Sequence, residues 1–156
     1  MFVHKFGGAS IKDVESIKRI PKLLKAETLD NNAFIVISAM GKTTNRLEEI
    51  INLAFKDGII SNSFDVLKND HIQVLSELID DNKVIEKLDN LFETCKTKLI
   101  NTPKTNYSYF YDQIIGFGEK ASSYIVYEYL KSLNFDIVHL NAEDLFITDD
   151  NFRAGN

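Results

Sequence analysis

The chain has 156 residues, 44% hydrophobic and 26% charged, with a formal net charge of −5. Such a length and composition suit one soluble globular domain with a real core, and the acidic balance argues against nucleic acid or an anionic membrane as partner. Cys95 is the only cysteine, which excludes an intrachain disulfide and a cysteine metal cluster, while His4, His71 and His139 are scattered without ligand spacing, so no metal-binding residue is assigned.

Phe2–Phe6 is short and apolar and reads as a strand. Gly7-Gly8 follows, a pair that permits backbone angles closed to other residues and close approach by a ligand. Ser10-Ile11-Lys12-Asp13 has capping-box spacing, so Ser10 is expected to cap a helix. Strand, glycines and helix start would together gather backbone N–H groups around an anion, phosphate above all, with Lys5 adding a full charge. Val14, Ile17, Ile20 and Leu24 share one helical face, which Pro21 should kink or restart. Ala33–Ala39 (AFIVISA) reads as the second strand. Its unbroken apolar run suits a strand covered on both faces, and the helix before it makes a βαβ crossover.

SAMGKTTN, residues 38–45, contains Gly-Lys-Thr, but Val36 stands where a Walker A loop needs glycine, and that reading fails. What remains is a turn rich in hydroxyls and N–H donors. Asn45 with Glu48 suggests a second N-cap, followed by the stripe Leu47, Ile50, Ile51 and Ala54. Amphipathic stretches over about 63–79 and 83–100 come next, split by Asp80-Asp81-Asn82. A long helical stretch over about 107–133, loosened by Gly116 and Gly118, leads to a third strand, Phe135–Leu140. Tyr107, Tyr109, Phe110 and Tyr111 lack the basic stripe that base stacking would need and are assigned to packing. Cys95 is read as a small buried apolar residue. In GFGEKASS, residues 116–123, Glu119 shares a helix face with Ser122 and Ser123, among small neighbours that let a ligand or another segment approach closely. A solvated surface glutamate is the alternative. The loops after the strands' carboxyl ends form the rim where open parallel sheets bind ligands. No apolar run reaches bilayer length and no signal peptide is expected before the first strand, so a cytoplasmic location is expected.

In this order and spacing, KFGGAS, VISAMGKTTNRL and GFGEKASS resemble the aspartate kinase family, and TDDNFRAGN near the end resembles the segment that follows in it. Ala9 stands where the family's opening motif has threonine. The resemblance implies an α/β protein of amino acid kinase fold, a three-layer α/β/α sandwich around a mainly parallel sheet, here truncated. A helical insertion at about 61–131 would separate strands two and three. Residues 1–156 would form the N-terminal part of the catalytic domain, without the later nucleotide segment, the arginine–serine–aspartate stretch or the regulatory ACT domains.

The implied reaction transfers the γ-phosphoryl of ATP, as its Mg2+ complex, to the side-chain carboxylate of L-aspartate. The product, 4-phospho-L-aspartate, enters lysine, threonine and methionine synthesis. Lys5 matches the catalytic lysine; Lys5, Phe6, Gly7 and Gly8 match the ATP phosphate site; Ser38, Thr44 and Glu119 match the aspartate site, Glu119 taking the α-ammonium. The fragment alone is expected to be inactive, and to be a homo-oligomer or self-associate through an exposed sheet edge. Two alternatives stay open: an enzyme of the same fold acting on acetylglutamate, carbamate or a nucleoside monophosphate, and a non-catalytic folding or interaction module.

Overall fold

The computed structural model describes residues 2–27, 33–60, 62–146 and 152. Two strands, β1 (Phe2–Phe6) and β2 (Ala33–Ile37), pair in parallel, with Lys5 opposite Val36 and Phe6 opposite Ile37. The crossover between them holds a 3-10 turn (Gly8–Ile11), α1 (Val14–Ile17) and α2 (Ile20–Glu27). Pro21 lies in the first turn of α2, where its missing N–H costs no helical bond, so the helix restarts there. Ser10 does not cap a helix. Its N–H is taken by the Gly7 carbonyl at 2.8 Å inside the 3-10 turn, and Asp13 caps α1 instead, accepting from the Ser16 N–H at 2.8 Å.

The helices α3 (Thr43–Asp57), α4 (Asn62–Leu78), α5 (Asn82–Asn101), α6 (Tyr107–Ile115) and α7 (Phe117–Ser132) build the bulk of the core. Leu47, Ile50, Ile51 and Ala54, the stripe expected of α3, are all buried. Asn45 is not an N-cap, because α3 already begins at Thr43, where the Thr43 N–H donates to the Met40 carbonyl across a tight turn. Edge-to-face rings run from Phe64 through Phe92 to Phe117, and Phe55 meets Tyr107 and Phe110, which confirms the packing role of that aromatic run. Cys95 is buried, and burial pushes its thiol up to about 12.

Two residues past the end of α7, Asn134 has a φ of 60°, the left-handed conformation that follows many helices and turns the chain back. Residues 135–140 then differ from expectation: they pair with no strand among the described residues. Their burial still alternates, with Phe135 and Ile137 packed on the core and Val138 and Leu140 exposed, so the period of a strand is present without a ladder partner. A short helix, α8 (Ala142–Leu145), follows.

The sheet is covered on one side. Ile35 and Ile37 pack into the core beside α7, while Val3, Phe34 and Val36, on the opposite face, are 63%, 52% and 46% exposed. The both-face cover expected of the second strand is therefore absent among the described residues, which supply the sheet and one helical layer. Among them no helix is long and apolar enough to cross a membrane.

Candidate functional site

The three motifs meet at the carboxyl ends of β1 and β2. The Ser38 N–H donates to the Phe6 carbonyl at 3.0 Å, continuing the ladder one residue past β2 and setting Ser38 beside Gly7. The Gly41 N–H then donates to the Gly8 carbonyl at 3.0 Å. This contact needs a glycine at position 8, since a Cβ there would lie 2.6 Å from the Ala39 carbonyl oxygen and 2.9 Å from that of Gly41. Gly41 itself has φ of 56°, the left-handed region, which lets the loop reverse before α3. Neither Gly7 nor Gly8 has a positive φ, so their value lies in space and not in unusual angles. Beside Gly7 a Cβ would meet nothing within 4 Å, so the space on that side is unfilled.

The GFGEKASS turn closes onto the same loop. At Gly118 a Cβ would lie 2.9 Å from the Ala39 Cβ and 3.0 Å from the Thr43 Cγ2. Ser122 is buried; its hydroxyl accepts from the Met40 N–H at 2.8 Å and donates to the Gly118 carbonyl at 2.7 Å. Glu119, exposed in the first turn of α7, and Thr44, half-buried in the first turn of α3, are thereby carried on two backbone segments in direct contact. The favourable field at the start of α7 also suits a carboxylate there.

Lys5 stands apart. It is exposed on the uncovered sheet face, opposite Val36, one residue before the turn that carries Gly7 and Gly8. Phe6 is buried and contributes its carbonyl to the ladder. The segments that carry the residues expected to hold phosphate and those expected to hold aspartate thus meet at one rim, and Lys5 lies on the sheet face opposite α7.

Sequence reasoning missed the support beneath the loop. His71 of α4 is fully buried, and its Nδ1 donates to the Leu67 carbonyl at 2.8 Å. Its Nε2, 3.3 Å from the Thr43 hydroxyl, then accepts from it. Burial holds the His71 imidazole below its ordinary pKa. The signal was present: Phe64, Leu67, His71 and Leu75 fall at helical spacing on one buried face. Ser123 and His139 meet in similar fashion, hydroxyl to Nε2 at 3.1 Å, with Tyr127 stacked on the ring at 5.0 Å. This pair fastens residues 135–140 to α7. Among the described residues no group of three or more His, Cys, Asp or Glu side chains is placed to hold a metal ion. The TDDNFRAGN segment lies outside the described residues apart from Phe152, whose ring meets Tyr109 at 5.1 Å.

Comparison with known proteins gives the family and the fold. The sequence model of the amino acid kinase family matches residues 1–155. Aspartokinase 1, chloroplastic, of Arabidopsis thaliana is 30% identical over 162 residues, covering 98% of this chain and 27% of that protein. The aspartokinase of Rickettsia prowazekii is 42% identical over 53 residues, 33% of this chain and 12% of that one. E. coli aspartokinase III, in complex with lysine and aspartate, superposes with a TM-score of 0.84 at 23% identity, covering 100% of this chain and 34% of the other. The same enzyme with aspartate and ADP gives 0.83 at 22% identity. The fold is the one those structures share, and the chain spans about a quarter of the Arabidopsis relative's length.

Proposed function

Because the chain belongs to the amino acid kinase family, we propose that it is the N-terminal part of an aspartate kinase catalytic domain, a phosphotransferase acting on the side-chain carboxylate of L-aspartate. The observation that supports this reading is the convergence of Gly8, Gly118 and Ser122 on the loop at residues 38–45. The unfilled space beside Gly7 and the contact between the segments that carry Thr44 and Glu119 support it further. Two anions, a polyphosphate and a carboxylate, must meet in such a reaction, so positioning and positive charge are what the protein has to supply.

In this proposal Gly7 and Gly8 bring the backbone up to the phosphates of ATP. The Lys5 ammonium offsets the charge that spreads over the transferring phosphoryl oxygens. Thr44 and Ser38 offer hydroxyls to aspartate, and the Glu119 carboxylate receives its α-ammonium. Mg2+ carried on the ATP phosphates would supply further charge neutralisation there, and among the described residues no group of three or more His, Cys, Asp or Glu side chains is placed to hold it. The unpaired edge of the two-stranded sheet is proposed to be a contact surface through which the chain alone self-associates or forms a homo-oligomer.

The test is a chimera in which this chain replaces the matching third of E. coli aspartokinase III, assayed for aspartate-dependent ADP formation. Turnover with aspartate, and not with acetylglutamate, carbamate or a nucleoside monophosphate, is the expected result. In that chimera Lys5→Ala should lower kcat on the order of 10²–10³-fold. Glu119→Gln should raise KM for aspartate well before that for ATP. A folded chimera with no aspartate-dependent turnover would overturn the reading.

A further inference from the structure

Resting on the reading of Thr44 and Glu119 as aspartate ligands, we propose that Ser122 is a positioning residue that sets the separation of the two halves of that site. Its hydroxyl is 2% exposed as a residue and uses both of its hydrogen-bonding roles between motifs. It accepts from the Met40 N–H at 2.8 Å, in the loop that leads to Thr44. It donates to the Gly118 carbonyl at 2.7 Å, in the turn that carries Glu119. Met40 is also buried, so its N–H has no water to turn to if the hydroxyl is lost. The back-bond to Gly118, four residues earlier, fixes the serine rotamer and aims the remaining lone pair at the loop.

Packing alone would not fix this separation. Gly118 already sits against Ala39 and Thr43 with room for no added carbon, but van der Waals contact lets surfaces slide. A hydrogen bond of defined direction stops that sliding. The residues at this joint are small, and the bond supplies the register their side chains cannot. Ser122 touches no ligand in this scheme; it acts through Met40 and Gly118. A site of two polar groups on separate elements loses affinity when their spacing is left loose.

The experiment uses the 156-residue chain and two-dimensional amide NMR, with L-aspartate and ADP as separate probes. In the unsubstituted chain, aspartate should shift the Thr44 and Glu119 amides, and the Met40 amide should exchange slowly with solvent. Ser122→Ala should speed Met40 exchange and weaken aspartate binding about tenfold. ADP-induced shifts at Gly7 should stay within about twofold in affinity, a selectivity that a general loss of structure would not give. If the alanine variant fails to fold, Ser122→Cys keeps the volume with a weak acceptor and should show the same pattern. Faster Met40 exchange with unchanged aspartate affinity would overturn the positioning role. Absence of any aspartate shift in the unsubstituted chain would overturn the ligand assignment beneath it, a distinct result because the Met40 bond is read separately.

Discussion

A methyl group added at Gly8 would press on two backbone carbonyls of the facing loop, whereas one added at Gly7 meets nothing within 4 Å. The pair therefore separates packing from ligand access. Gly8→Ala should destabilise the chain by about 1–3 kcal/mol, because neither backbone can yield without breaking the Gly41 contact. Gly7→Ala should leave stability within about 0.5 kcal/mol while weakening ADP binding. Urea denaturation and an ADP titration on both variants check the contrast. His71 carries a second expectation at this scale. Its folded pKa is lowered from 6.5 by burial, so the unfolded chain binds the proton more readily. Stability should be full above pH 6.5 and fall as pH drops through that value toward the folded pKa. His139, also lowered by burial, adds to the fall in the same direction. His71→Gln should flatten part of this acid loss, read as the change in urea midpoint between neutral and mildly acidic buffer. An unchanged slope would show that His71 does not titrate differently on folding.

At the scale of elements, the end of α7 offers a clean test. Asn134 holds a left-handed conformation that costs most side-chain-bearing residues roughly 1–2 kcal/mol. Asn134→Gly should be neutral or slightly stabilising and Asn134→Val destabilising by about that amount, measured by thermal unfolding. The elements themselves were legible from side-chain period: α4 and α5 fall where the apolar stripes put them, and Pro21 marks the restart of α2. Caps were less legible. Ser10 and Asn45 have the right chemistry, but the Gly8–Gly41 bond and the left-handed Gly41 fix where the helices begin, and those are contacts between loops. The third strand shows the same limit, since Phe135 to Leu140 carry the alternation while a ladder needs a partner from elsewhere. In the site, the motifs could be read as sequence, and the structure brings their segments together. Ser122 and His71 could not be paired with their partners, because Met40 lies 82 residues from Ser122 and Thr43 lies 28 from His71.

At the scale of the whole molecule, the dominant feature among the described residues is a parallel sheet with helices on one face. If the chain alone self-associates through its exposed sheet edge, sedimentation should show mass rising with concentration, and Phe34→Glu, a charge in the β2 strand, should return it to a monomer. A single species of monomer mass at high concentration would refute this. Lys5 lies toward the carboxyl end of the opposite face, the one charged side chain beside Val3, Phe34 and Val36 among the described residues. A charge set within an apolar strand surface opposes sheet-to-sheet stacking and the aggregation that follows from it. The side chain proposed to serve phosphoryl transfer would then also keep the nascent chain in solution while the face is bare. Lys5→Ala should precipitate more readily than Lys5→Arg, although both substitutions alter the proposed catalytic group, and so solubility and turnover, lost together in one variant, should part in the other.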